Sequence, residues 1–262
     1  MDREQTLRFI AEHEILPAGK FGQNFLCDEK IISSIIGLCD IRKGDNVIEI
    51  GPGIGALTRE LSSLDCILTA VEIDKKLGNI LKDEIPSAEI VVEDFLKYTP
   101  KKDYDIAVSN IPYYVMKPIM IRLLSSFSSC RKMVFMVEED AIRRIDAVPG
   151  TKQYGPLSIL CSLYGNFRKE FTVPSGCFIP PPHTSSAVIT LSRKDGCDIS
   201  SGFAAFLDQC FRERRKKLLN NLSSVYSKEK AIEAISAAGL VPDVRAEAVP
   251  PSKFATLFDK ML

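Results

Sequence analysis

The chain has 262 residues, enough for one large α/β domain with a small appendage, whereas two equal domains would be cramped. An apolar fraction of 45% beside 26% charged residues predicts a globular protein with a sizeable core, which disfavours the disordered and membrane-embedded classes. The 34 basic residues balance 34 acidic ones, so net charge gives no support to a nucleic-acid partner, and any such surface must come from local clustering.

At the start of the chain, Leu7 and Ile10 stand at helical spacing, and Pro17 and Gly19 are placed to stop that helix. The opening MDREQTLRF lacks the basic-then-apolar order of a secretion signal, and no apolar run approaches the roughly 20 residues a bilayer demands, so a cytoplasmic protein is expected. A loop is expected from Lys20 to Leu26. Asp28 then reads as the N-cap of a helix whose buried face carries Ile31, Ile32, Ile35, Ile36 and Leu38.

From residue 46 short apolar runs alternate with amphipathic windows: NVIEI, ALTRELSSL, CILTAVEI, KKLGNILKDEI, EIVVED, YDIAVSN, KPIMIRLLSSF and KMVFMVE. Continuous β-branched runs separated by helices signify parallel strands covered on both faces, and right-handed crossovers make them an α/β, Rossmann-like, doubly wound sheet. GNFRKEFTVPS and SSAVITLSR break the alternation and predict a terminal antiparallel hairpin. Beyond about residue 200 only helical windows remain, which predicts a small all-α C-terminal domain; the expected division is 1–197 and 198–262.

Glycines fill the first strand-to-helix turn, at Gly51, Gly53 and Gly55, where a ligand can approach backbone amides closely; a tight turn with close helix packing explains them equally well. Glu72 ends the second strand, 21 residues after Gly51, in position to accept from the two ribose hydroxyls of an adenosyl group, as in nicotinamide enzymes also. Glu49 points away from those enzymes. A pyrophosphate disfavours a nearby acid, whereas the sulfonium end of S-adenosylmethionine tolerates one, directly or through water; a capped charge at a strand end is the plainer alternative. Asp94, after the third strand, can accept from the adenine amine of that cofactor, or serve merely as a helix cap.

The fourth strand runs into Ser109, Asn110, Ile111, Pro112, Tyr113 and Tyr114. An adenine amine is a poor nucleophile because its lone pair is delocalised into the ring. Acceptors for its two N–H bonds favour a pyramidal nitrogen, so the site needs acceptors and not a strong base. Asn110 offers a side-chain carbonyl. The main-chain carbonyl of Ile111 offers a second, since Pro112 holds Ile111 extended. Tyr113 is the candidate to stack on an extruded base, with Tyr114 a less certain one.

Metal chemistry is not expected. The eight cysteines never approach CxxC spacing, and only His13 and His183 could supplement them. Reduced, mostly buried thiols are the default, and a histidine-based triad lacks a nucleophile motif beside either histidine.

At this point the chain resembles the small-subunit ribosomal RNA adenine dimethyltransferases. The resemblance rests on GQNFL at 22–26, EIGPGIGALT at 49–58, VEID at 71–74, SNIPYY at 109–114, PGTKQYGPLS at 149–158, FIPPP at 178–182, RRKKLLNNL at 214–222 and RAE at 245–247. It implies a class I methyltransferase fold and S-adenosylmethionine-dependent N6,N6-dimethylation of two adjacent adenosines. These lie in a hairpin loop near the 3′ end of small-subunit rRNA, within a pre-ribosomal particle. It also implies that Asn24 and Leu26 join Gly51, Glu72, Asp94 and Asn110 around the cofactor, and that Phe178 faces Tyr113 across the target base. Three segments depart from the family pattern, EEDAIRR at 138–144, HTSSAV at 183–188 and VMKP at 115–118, which bears on RNA contact rather than on the chemistry.

Arg212, Arg214, Arg215, Lys216 and Lys217 cluster in what reads as the first C-terminal helix, a density that suits phosphate contacts and equally a solvated face. Arg143, Arg144 and Lys152 are candidates to extend it. Two rivals remain open: a large-subunit rRNA methyltransferase of the erythromycin-resistance type, and an assembly factor whose main role is RNA binding. A dehydrogenase is a distant third. A monomer without membrane or metal partners is expected.

Overall fold

The structure is a computed structural model that describes residues 1–16, 23–127, 129–197 and 199–262, with the backbone alone described at Tyr113 and Ser201. Pro17, Gly19 and Gly22 lie outside the described residues. Packing divides the chain into two compact units: Met1–Ile119, Ser129–Glu139 and Phe167–Arg193 form one, and Met120–Ser128, Asp140–Asn166 and Lys194–Leu262 form the other.

The first unit opens with α1 (Arg3–Glu12), where Asp2 and Gln5 cap each other's amides reciprocally. Its buried residues are Thr6 and Phe9, while Leu7 is 49% exposed, so the inward stripe is offset from the expected Leu7–Ile10 pair. The expected loop ends in a short strand, β1 (Phe25–Leu26). In α2 (Glu29–Cys39) Asp28 Oδ1 accepts from the amides of Lys30 and Ile31 at 3.0 and 3.1 Å, as its sequence position predicts. Then follow β2 (Asn46–Ile50), α3 (Ala56–Ser62), β3 (Ile67–Glu72), α4 (Lys75–Glu84), β4 (Glu89–Val92) and β5 (Ile106–Asn110). Helix α5 (Met116–Ser126) begins in this unit and ends in the other. Strands β6 (Lys132–Glu138), β7 (Gly165–Val173), β8 (Phe178–Ile179) and β9 (Ser186–Arg193) complete the set.

Seven strands form one sheet in the order β4-β3-β2-β5-β6-β9-β7. Strands β4 to β6 are parallel, β9 runs antiparallel to β6, and β7 lies outside β9 at the edge. This is the doubly wound sheet with its terminal β7/β9 ribbon. Order reverses between β2 and β5, which opens a crevice at their carboxyl ends. The β2 and β5 interiors, Val47, Ile48, Ile106 and Val108, are fully buried, and Ile32, Ile35 and Cys39 of α2 cluster with Val47, Ile106 and Val108. A separate antiparallel pair, β1 with β8, sets Leu26 opposite Phe178.

The second unit contains α6 (Ile142–Ile145), α7 (Pro156–Tyr164), α8 (Ser201–Cys210), α9 (Leu218–Leu222), α10 (Lys228–Ala237) and α11 (Pro251–Met261). Phe203 and Phe206 are buried and pack against the half-buried ring of Phe258, and the buried Phe254 packs against Phe211. The 149–158 segment is tied into it: the Tyr154 hydroxyl donates to the Val249 carbonyl at 2.6 Å, and the Gly150 amide to the Glu247 carbonyl at 2.8 Å. Among the described residues no helix is long and apolar enough to cross a membrane.

The basic cluster is not helical. Helix α8 ends at Cys210, and Arg212 to Lys217 occupy the turn before α9. The Asn221 side chain takes the carbonyl of Cys210 at 2.7 Å, satisfying one of the orphan acceptors at the helix end and drawing the following chain back toward α9.

Candidate active site

Because β2, β3, β4 and β5 are parallel, their carboxyl ends share one edge, and Glu49, Glu72, Asp94 and Asn110 gather there. The turn after β2 places Gly51, Gly53 and Gly55 at φ of 66°, 61° and 84°, the left-handed region that glycine enters without a Cβ penalty. The Gly51 amide is held by the Val71 carbonyl at 2.9 Å, which pins the turn to β3. A cavity of about 140 Å³ opens over it. All its described walls belong to the first unit.

Glu72 is buried, and each of its oxygens already accepts one backbone amide at 2.9 Å, from Gly53 and from Asp74. A carboxylate has about four lone-pair sites, so acceptor capacity remains on both oxygens. Burial holds this carboxyl above its usual range, with the Asp74 and Gly53 amides opposing.

Glu49 is treated differently. It is only 2% exposed, and its Oε2 is buried without a hydrogen-bond partner. Burial is the chief cause that pushes its carboxyl up to about 8; the neighbouring Thr58 hydroxyl opposes the rise, and the charge of Glu72 adds to it. The plain alternative of a capped strand-end charge therefore fails for Oε2.

Asp94 caps a turn rather than a helix and also stands on the cavity wall. Its Oδ1 accepts from the Leu96 amide at 2.9 Å. Asn110 Nδ2 donates to the main-chain carbonyl of Asn24 at 3.2 Å. That bond fixes which end of the amide is the donor and leaves Oδ1 as the acceptor. Beneath it, Ser109 Oγ donates to the Ile50 carbonyl at 2.6 Å, and the Ile111 amide donates to the Met136 carbonyl at 3.0 Å, so the β5 terminus is braced on both sides. Pro112 follows with φ −59° and ψ 134°, an extended turn into the short 3-10 segment Tyr113–Val115.

Asn24, Leu26, Glu49, Gly51, Gly53, Glu72, Asp94, Asn110, Ile111, Pro112 and Phe178, all singled out from sequence, line this one cavity. Tyr114 is 59% exposed and also lines it, whereas the side chain of Tyr113 lies outside the described atoms. Phe178 is 1% exposed and packed with Leu26 in the core. Sequence reasoning missed Phe25, Ile73, Leu96, Val115 and Ile119 among the lining residues. Ile73 and Leu96 had a usable signal, since each is an apolar residue one or two positions after an acid that follows or ends a strand; both prove exposed.

Charge gives the cavity its character. Its described lining holds three carboxylic acids, Glu49, Glu72 and Asp94, and no lysine, arginine or histidine. Such a site repels a pyrophosphate and suits an adenosyl ligand with a positively charged tail. The orphan oxygen of Glu49 supplies the buried acceptor that such a tail requires, so the residues present fit S-adenosylmethionine. Among the described residues no group of His, Cys, Asp and Glu is arranged to hold a metal ion.

In the second unit, Arg214 is half-buried, with Nε 3.1 Å from Glu247 Oε2 and its terminal nitrogens donating to the carbonyls of Lys152 and Thr151. Lys216 pairs with Glu213 at 2.8 Å, and Arg212, Arg215, Lys216 and Lys217 are exposed.

Comparison with known proteins gives the family. A family model described as ribosomal RNA adenine dimethylase matches residues 18–261. The ribosomal RNA small subunit methyltransferase A of Malacoplasma penetrans is 34% identical, with 94% of this chain and 92% of the relative covered. The protein of that name from Streptococcus agalactiae is 35% identical, with coverage of 99% and 97%. Among solved structures, a dimethyladenosine transferase from Plasmodium falciparum aligns with a TM-score of 0.73 at 23% identity, covering 90% of this chain and 98% of that one. The 23S rRNA methyltransferase ErmE aligns with a TM-score of 0.62 at 24% identity, covering 91% and 99%. Those two likenesses establish the class I methyltransferase fold, and the family match over nearly the whole length establishes more: the chain belongs to the ribosomal RNA adenine dimethylases, enzymes that use S-adenosylmethionine.

Proposed function

We propose that this chain dimethylates the N6 amines of two adjacent adenosines in a hairpin loop near the 3′ end of small-subunit rRNA, acting as a cytoplasmic monomer on a pre-ribosomal particle. The observation that carries the chemistry is the Asn110–Asn24 bond, which leaves the Asn110 carbonyl oxygen as an acceptor on a cavity whose described lining is acidic and holds no basic side chain.

In this reading Glu72 accepts from ribose hydroxyls, Asp94 from the cofactor's adenine amine, and Glu49 faces the cationic amino-acid end, with Asn24, Leu26, Gly51 and Gly53 completing the walls. When bound, S-adenosylmethionine supplies an electrophilic methyl group on a sulfonium. Asn110 Oδ1 and the Ile111 carbonyl accept the two N–H bonds of the target amine, which aims the nitrogen lone pair and stabilises the positive charge that grows on it. Pro112 fixes the second acceptor, and Tyr113 and Phe178 form the aromatic walls for the flipped base. No strong base is required, since the proton leaves an ammonium nitrogen that is already acidic.

We assign residues 1–197 to cofactor binding and catalysis, and 198–262 to RNA contact through Arg212, Arg215, Lys216 and Lys217. Arg214 is assigned mainly to holding the 149–153 segment. Methyl transfer to isolated immature subunits tests the reading: incorporation into the small subunit supports it. Incorporation into large-subunit RNA instead, or none with RNA binding intact, favours the erythromycin-resistance type or the assembly-factor role.

A further inference from the structure

Glu49 and Glu72 are both buried acids on one cavity, yet only one of them has its oxygens satisfied. Glu72 accepts a backbone amide on each oxygen, whereas Glu49 Oε2 has no partner. An ionised carboxylate in that state would carry a desolvation cost relieved only in part by the Thr58 hydroxyl, and keeping the proton on avoids it. No cation offsets the cost from within the cavity, because its described lining contains no lysine, arginine or histidine.

Resting on the cofactor reading above, we propose that Glu49 is the site's charge discriminator: it holds a proton in the empty enzyme, releases it to solvent when the positively charged methyl donor enters, and regains it once methyl transfer has removed the sulfonium charge.

The proton balance is simple. The free site is a neutral acid, the donor-bound site is a carboxylate beside a cation, and one proton passes to buffer for each donor bound. The product thioether keeps its ammonium and carboxylate but carries one positive charge fewer, so it gives Glu49 less reason to stay ionised. Reprotonation then leaves the product without a full ionic partner, which favours exchange for fresh donor. An enzyme that must transfer several methyl groups to one RNA gains from discarding spent cofactor in this way.

The groups facing Glu49 make the device one-sided. Glu72 on β3 raises its proton affinity, Cys39 on α2 lies behind it as a buried thiol, and the Thr58 hydroxyl on α3 is a neutral dipole. With no fixed cation among these groups, the ligand's own charge moves the equilibrium at a given pH. With its carboxyl pushed up to about 8 when empty, the protonated form predominates at pH 7.

Calorimetric titration of the full chain with S-adenosylmethionine and with S-adenosylhomocysteine, in phosphate and in Tris at pH 7, counts the protons released from the dependence of heat on buffer ionisation. The expected result is release of most of one proton with the donor, and less than half as much with the product. Donor affinity should also rise several-fold from pH 6.5 to 7.5, at most tenfold, and level off above pH 8, while Glu49→Gln binds the product and releases no proton with either ligand. Saturable donor binding with no proton release, equal release with both ligands, or undiminished release from Glu49→Gln would each overturn the proposal. The first two comparisons need only the unaltered protein. Absence of saturable binding by either ligand would instead overturn the cofactor reading on which it rests.

Discussion

Asn110 and Asn24, 86 positions apart in sequence, meet through the bond from Asn110 Nδ2 to the Asn24 carbonyl, so the end of β5 and the segment before β1 close the cavity together. The contact explains why an asparagine serves here. Its amide spends the donor on the scaffold and keeps the acceptor for chemistry. Asn110→Ala should lower methyl transfer by about 10²–10³-fold, the usual loss for one positioned polar group in a transition state. RNA affinity should stay within about twofold, because phosphate contacts dominate it. Single-turnover transfer alongside a filter-binding assay checks both.

Phe178 separates packing from recognition. Its ring is buried against Leu26, so Phe178→Ala should cost about 3–5 kcal/mol in urea denaturation. Phe178→Leu preserves most of the buried volume and should cost less than about 1.5 kcal/mol, yet lose up to about tenfold in turnover with the stacking face gone. Equal turnover for Phe178→Leu and the unaltered enzyme would remove Phe178 from the base-binding wall.

The glycine turn divides into a position facing open space and one facing a wall. An added Cβ at Gly51 meets nothing within 4 Å, whereas at Gly55 it would lie 2.7 Å from Leu81 Cδ2. Both residues have positive φ, so each alanine substitution carries the left-handed cost of about 1–2 kcal/mol. Gly55→Ala adds overpacking of about 1–3 kcal/mol and should show the larger drop in thermal midpoint. A larger drop for Gly51→Ala would contradict the close approach of Gly55 to Leu81.

Two arginines adjacent in the basic turn should behave oppositely. Arg214→Ala removes an ion pair to Glu247 and two carbonyl contacts, and should destabilise the second unit by about 1–3 kcal/mol. Arg215→Ala should leave stability within about 0.5 kcal/mol, while weakening RNA binding and lowering the salt slope by about one. Thermal melts and salt-titrated RNA binding distinguish the two.

Much of this was legible because it is local. The β2 turn glycines, the acids ending β2 and β3, and the Asn-Ile-Pro-Tyr segment each lie at a strand end that hydrophobic period alone locates, and parallel pairing then brings strand ends together. The pairing of Phe25–Leu26 with Phe178–Ile179 was not legible, since two-residue strands separated by about 150 positions leave no periodic trace. The basic turn was misread as helix for a related reason. Lysine and arginine are good helix formers, and the competing capture of the Cys210 carbonyl by Asn221 is a tertiary event that propensity does not register. The orphan oxygen of Glu49 is of the same kind, because only the packed cavity distinguishes it from the amide-bound Glu72.

Nucleoside mass spectrometry of rRNA, after incubating undermethylated small subunits with the purified chain and S-adenosylmethionine, tests the central claim most directly. The account predicts N6,N6-dimethyladenosine at about two residues per small subunit, lost in Asn110→Ala. Small-subunit RNA free of dimethyladenosine after that incubation, with the modification appearing in large-subunit RNA or nowhere, would contradict it.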